Sequence, residues 1–276
     1  MVAELLQRLD GVRVRACGAQ RDTLEQSLAN IEAEACAVPK SRVASSSRVE
    51  IVATEETDGV ELMAGVTAVV WCASSHGQSQ PQPQGQRQRG GEDGGGVGGT
   101  AAVLCEASAL LRRDEGAMTP KLVLLSTAAA SRAAWSRDTK KRFAAAADIP
   151  IVRLDPQNIL GAKLREEAGV RAAGLPYCIV RPCNLDDEAE TTEGGYVLSS
   201  GDLATGRISH RDVAALLVSA LLEPGACGKT LEAFTLATLP RRPLAAAFRA
   251  LPADREMGRS PPPEDATYSL LQQLAP

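Results

Sequence analysis

Asn158-Ile-Leu-Gly-Ala-Lys163-Leu-Arg165 opens the stretch that decides the fold, and Leu175-Pro-Tyr-Cys-Ile-Val-Arg181-Pro182 closes it. Ile159, Leu160, Leu164, Ala168 and Val170 fall roughly on one side of a helical repeat, which predicts an amphipathic helix over about 157–173. Gly174 tolerates the left-handed conformation that ends many helices. Tyr177 to Val180 is a short apolar run of the kind that forms a parallel strand buried on both faces, and Pro182 stops it. A helix, a tight turn and a buried strand in that order make half of a strand–helix–strand unit.

The same alternation extends outward. Residues 2–9 read as a helix, Val12 to Cys17 as a strand, Asp22 to Ala35 as a helix and Val49 to Ala53 as a second strand. A short helix at Val60 to Ala64 precedes a third strand, Ala68 to Ala73. A helix over about 101–113 leads to a strand at Lys121 to Ser126. Beyond the deciding stretch, Ser209-His-Arg-Asp212 resembles a capping box at the start of a helix reaching Leu222, and Thr230 to Leu236 is a last strand. A helical patch near 243–251 lies in the tail, ahead of Pro261-Pro-Pro263. Strands alternating with helices imply an α/β, Rossmann-like, doubly wound parallel sheet. The expected organisation is one Rossmann-like α/β domain built from 1–75 and 101–240, a disordered Gln/Gly-rich linker at 76–100, and a tail at 241–276.

Composition narrows the function classes. With 30 basic and 34 acidic residues, the chain offers no large electrostatic footprint for nucleic acid or an anionic membrane. Aromatics at 3% supply few stacking platforms, so direct nucleic-acid binding is not expected. The seven cysteines are scattered without a Cys-x-x-Cys pair, as small buried hydrophobes of a reducing compartment would be. Only His76 and His210 are available as imidazole ligands, so no metal site is expected. No apolar run is long enough to span a bilayer.

Gly94-Gly-Gly96-Val-Gly-Gly99 satisfies the dinucleotide-binding G-x-G-x-x-G pattern formally. That motif works only when a strand aims the turn at a helix N-terminus, and a Gln/Pro tract precedes it here. Linker composition accounts for these glycines. In the Rossmann order a first strand and Gly-rich loop should come before the opening helix, and neither is present. The expectation is therefore a sheet lacking its first strand and phosphate loop, from an N-terminally truncated chain.

Three segments carry a resemblance: Asn158-Ile-Leu-Gly-Ala-Lys163, Tyr177-Cys-Ile-Val-Arg-Pro-Cys183-Asn-Leu185 and Gly206-Arg-Ile-Ser-His-Arg-Asp212. They resemble atypical short-chain dehydrogenases of the NmrA-like kind. Within these, they resemble a plant and algal group (high chlorophyll fluorescence 173-like) that carries a companion domain of complex I intermediate-associated protein 30 type. The companion domain would follow the strand at Ala68 to Ala73, where this chain has its Gln/Gly tract. The resemblance implies NADP or NAD as cofactor and a chloroplast setting, with a protein partner for a scaffold or translation-related role.

It also implies site residues. Lys163 would reach the nicotinamide ribose, and Ser126 would stand where the family's serine hydrogen-bonds a substrate carbonyl. Arg15 and Arg21 would favour the 2′-phosphate of NADP, and Ala73-Ser74 would pack on the adenosine side. Arg181-Pro182 would close the strand at the substrate pocket. The residues themselves leave bland alternatives open: Arg15 and Arg21 as solvated surface charges, Ser126 as a helix cap, and Lys163 paired with Glu167 one turn on. The tyrosine of Tyr-x-x-x-Lys is replaced by Ile159, which has no ionisable hydroxyl for a proton relay. The expected function is therefore a cofactor-binding or cofactor-sensing protein with little or no turnover. The alternatives are a non-enzymatic scaffold, or an NADPH-dependent reductase should a Gly-rich loop precede Met1.

Overall fold

The computed structural model describes residues 13–18, 26, 49–53, 63, 65–72, 119–155, 158–186 and 194–254. The expected helices at 2–9 and 101–113, the Gln/Gly linker and the end of the tail lie outside them, as do Arg21, Ala73 and Ser74. Of the expected helices at 22–35 and 60–64, only Gln26 and Met63 are described, and both are helical.

Nine strands are present among the described residues, in three sheets. β1 (Val14–Gly18) and β2 (Val49–Ala53) form a parallel pair, with Val14 opposite Val49. The principal sheet has five strands in the order β3-β4-β5-β9-β7. These are β3 (Val69–Trp71), β4 (Leu122–Leu125), β5 (Tyr177–Pro182), β9 (Lys229–Pro240) and β7 (Gly194–Ser199). β3 to β9 run parallel, and β7 closes the edge antiparallel to β9. β6 (Asn184–Leu185) and β8 (Arg207–Ile208) make a small third pair. The parallel strands expected at 121–126, 177–181 and 230–236 are thus present. The antiparallel edge at 194–199 and the extension of β9 to Pro240 were not expected.

Helices cover both faces of the principal sheet. Successive strand residues point to opposite sides, so Leu122, Leu124 and Ile179 face one way and Val123, Cys178, Val180, Leu231 and Ala233 the other. The first set packs with Val170 of α4 (Ile159–Ala172), with Leu175 and with Met63. The second packs with Val213, Leu216, Leu217 and Ala220 of α5 (His210–Leu222) and with Phe248 of α6 (Leu244–Ala250). α6 lies within the stretch expected to be tail, yet Phe248 is fully buried in this core. Three short helices, α1 (Arg137–Arg142), α2 (Ala144–Ala147) and α3 (Pro150–Leu154), fill the connection from β4 to α4.

The local signals act largely as expected. Ser209 caps α5 by accepting a hydrogen bond from the Asp212 backbone N–H at 3.0 Å. Gly174 adopts φ +69°, and the helix ends there. At the start of α4 the cap is Asp155, whose Oδ1 accepts from Ile159 N at 2.6 Å. Asn158 holds a left-handed φ of 52° and contributes no side-chain cap. No described helix is long and apolar enough to cross a membrane.

The buried side of α4 differs from the apolar face expected for it. Its buried residues are Leu160, Lys163, Glu167 and Val170, whereas Ala168 is exposed and Ile159 and Leu164 are half-buried. The helix turns charge inward because charged partners wait for it on the sheet.

Candidate functional site

The candidate site lies at the carboxyl ends of β4 and β5, where open α/β sheets receive ligands. Register places a polar row straight across four strands. Ser126 follows β4 and donates its backbone N–H to Val180 O at 2.8 Å, which sets it beside Arg181. Arg181 of β5 is the register partner of Glu232 on β9, and Glu232 is the partner of Ser199 on β7. All four are buried, with Arg181, Glu232 and Ser199 at 0% exposure.

Glu167 of α4 closes over this row. Its carboxylate accepts from Arg181 Nε at 2.7 Å and from Arg181 Nη2 at 2.6 Å, a bidentate pair with both side chains fully buried. The Ser126 hydroxyl donates to Glu167 Oε1 at 2.6 Å, and Arg171 Nη2 donates to Oε2 at 3.2 Å. Burial pushes the Glu167 carboxyl up, but Arg181, Arg171 and Ser126 together outweigh it and hold the group below its ordinary value.

Asp202 secures the other flank. It sits at φ +64° in the turn after β7, and its carboxylate accepts from the backbone N–H groups of Ala129 at 2.6 Å and Ser131 at 2.8 Å. The Ser131 hydroxyl adds a third bond at 2.7 Å. Arg132 lies 3.4 Å from the same carboxylate, and Arg181 Nη1 lies 3.6 Å from it. Arg132 also donates to the carbonyls of Asp202, Ala146 and Ala204, so the loop after β4 is pinned from both sides.

Lys163 stands one turn before Glu167. Its Nζ donates to the carbonyl of Leu125, the last residue of β4, at 3.4 Å and pairs with Glu166 Oε2 at 2.9 Å. The expected alternative partner, Glu167, is instead committed to the arginines. The Leu125 contact places the lysine at the carboxyl end of β4. Thr127 follows Ser126 and donates to Ala128 O at 3.2 Å.

The structure thus brings together Ser126, Lys163 and Arg181 around α4, and it places Ile159 half-buried at the first turn of the same helix. Arg181 points into the protein and its guanidinium is spent on Glu167 and Asp202; Pro182 is buried beside it. Arg15 lies on β1, outside the five-stranded sheet. Sequence reasoning overlooked Asp202, Arg132 and Glu232, and it named Glu167 only as a partner for Lys163. The available signal was indirect: a serine and an arginine at adjacent strand ends require a buried carboxylate, and no spacing rule says which one.

Chemically, this arrangement orients and holds. The Ser126 proton is directed to Glu167, and the position four residues before Lys163 carries a hydrocarbon. Tyr177 cannot supply the missing hydroxyl, because its OH donates to Asp254 at 2.8 Å at the opposite end of the sheet. Burial and the Asp254 charge both push that phenol above its ordinary range. Lys163 remains as a cation at the strand ends, of a kind that would suit a nucleotide ribose.

The principal sheet is shared with solved structures. A Bacillus halodurans protein assigned as an NAD-dependent epimerase/dehydratase superposes with a TM-score of 0.54 at 19% identity, over 90% of this chain and 91% of that one. The oxidoreductase ylbE from Lactococcus lactis superposes with a TM-score of 0.50 at 14% identity, over 90% of each chain. These likenesses show a shared Rossmann-like fold. No curated protein matches the chain in sequence. Residues 5–224 match the family described as NAD(P)H-binding, and the chain belongs to that family.

Proposed function

We propose that this protein binds NADP(H) or NAD(H) at the carboxyl ends of β3, β4 and β5 and turns over little or no substrate. The observation that carries the reading is the state of the two hydroxyl positions around Lys163. Ile159 stands four residues before it, and the Ser126 hydroxyl is donated internally to Glu167 at 2.6 Å. A carbonyl reductase must deliver a proton as hydride arrives, and neither position offers one. Lys163 in this reading holds the ribose, and Arg15 and Arg21 favour the 2′-phosphate form. In the same reading Ala73 and Ser74, which lie outside the described residues, are the candidates for the adenosine side, and Arg181-Pro182 form the rigid wall of the pocket. Residues 1–75 and 101–240 supply one cofactor domain interrupted by the Gln/Gly segment.

Cofactor binding raises thermal stability through linkage. At a free NADPH concentration a hundredfold above Kd, the native state gains about 2.7 kcal/mol. Differential scanning fluorimetry with NADPH, NADH and neither should show a shift for at least one cofactor, and Lys163→Ala should remove most of it. No shift at millimolar cofactor would sink the proposal. A second reading, a protein scaffold that keeps the fold without binding cofactor, rests on the same two positions and would then lead.

A further inference from the structure

We propose that Glu232 is a proton-binding switch inside the buried row, and that its protonation commits Arg181 to Glu167 and Asp202 and so tightens the hold on Ser126. Among the described residues, three polar atoms of buried side chains lack a hydrogen-bond partner: Arg181 Nη1, Ser200 Oγ and Glu232 Oε1. All three belong to this region, since Arg181 and Glu232 are register partners and Ser200 follows the residue opposite Glu232. Buried polar groups are rarely left unsatisfied, so such a set calls for an explanation, and Glu232 is its one member that can gain a proton.

The charge count gives the reason. Glu167, Asp202 and Glu232 converge on Arg181 and Arg132, while Arg171 at the rim is shared with Asp254 at 3.1 Å. Glu167 takes two hydrogen bonds from Arg181. Asp202 takes Arg132 together with two backbone N–H groups. Glu232 keeps only the Ser199 hydroxyl at 2.7 Å, with help from the Asp202 backbone.

The groups facing Glu232 come from each neighbouring element. β5 and its end present Arg181 and Cys183, and β7 with its turn presents Ser199 and Asp202. α4 acts through Glu167, and the turn after β4 acts through Arg132, which is paired with Asp202. Burial, followed by the Asp202 charge, pushes the Glu232 carboxyl up to about 6, because Arg181 and Ser199 do not fully offset them. The folded state therefore binds a proton that the unfolded state releases. Ionised Glu232 competes for Arg181, and the neutral acid does not.

Infrared difference titration of the full chain, with Glu232→Gln as control, tests this directly. The expected result is a buried carboxylic-acid carbonyl band that grows as pH falls, with a midpoint near 6, and is missing in the variant. Ser199→Ala, which removes a bond to the ionised form, should move the midpoint higher. Hydrogen exchange then tests the coupling: at pH 8 the amides of 126–131 should exchange more slowly in Glu232→Gln than in wild type, and the two should converge at pH 5. A wild-type band with a midpoint in the ordinary carboxylate range near 4.5, or no band, would overturn the proton site. Equal exchange at both pH values would overturn the coupling to Ser126.

Discussion

Replacing Glu167 with glutamine should destabilise the protein more than any other single conservative change described here. The substitution keeps the shape and one carbonyl acceptor but removes the charge. Arg181, at 0% exposure, would then keep the Asp202 carboxylate at 3.6 Å and its register partner Glu232, with no hydrogen bond yet made by Nη1. Removing one partner of a buried ion pair costs about 3–5 kcal/mol, because the remaining charge stays desolvated. The surviving amide carbonyl and the Asp202 charge argue for the lower end. With an m-value of about 2 kcal/mol per molar in urea, the unfolding midpoint should fall by roughly 1.5 M. The double variant Glu167→Leu/Arg181→Met should recover part of that loss, since it removes the stranded guanidinium while Asp202 keeps Arg132 and Glu232 is left to take up a proton. The pH dependence has a definite sign. Because the folded state holds this carboxyl below its ordinary 4.5, the stabilisation is complete above that value and is lost as pH falls through the lowered one. Urea titrations at pH 7 and pH 4 measure both effects. A loss at pH 7 under about 1 kcal/mol would refute the reasoning, because the pair would then be a spectator.

Other expectations follow from the same geometry. Asp254 accepts from Arg171 Nε, Tyr177 OH, Thr230 N and Thr230 Oγ1, all within 3.1 Å. Asp254→Ala should therefore cost about 3 kcal/mol or more, and Tyr177→Phe about 1 kcal/mol, by chemical denaturation. Gly206→Ala would set a Cβ 2.6 Å from the Phe234 ring, which must move; about 1–3 kcal/mol of lost stability should appear as a lower melting temperature. Ile159→Tyr returns a hydroxyl four residues before Lys163. NADPH oxidation dependent on an added quinone should then be detectable in the variant and absent in wild type, and equal rates in both would show that the hydroxyl position is not what limits turnover.

Much of the fold was legible because periodicity and punctuation are local. The apolar run Tyr177 to Val180, the glycine at 174 and the Ser209–Asp212 cap each act within a few residues, and each appears where it was expected. The edge strand Gly194–Ser199 was not legible. It opens on two glycines that come within touching distance of the β9 backbone, as an added Cβ on Gly194 would meet Leu236 O at 2.4 Å. Such a strand is selected by its neighbour across the sheet and not by its own β-propensity.

The site divided in the same way. Sequence by itself determined the fold class, the position of Lys163 on its helix, the serine at the end of β4 and the hydrocarbon at Ile159, since motif spacing and residue chemistry are written in the chain. It could not show that Lys163, Glu167 and Arg171 turn inward, because three charged residues on a helix read as a solvated face. Their partners are distant along the chain: Arg181 is 14 residues from Glu167, and Asp254 is 83 from Arg171. Only the tertiary structure decided that the charges of α4 would be buried, because desolvating them is tolerable only where packing delivers opposite charges and hydrogen bonds to the same few ångströms.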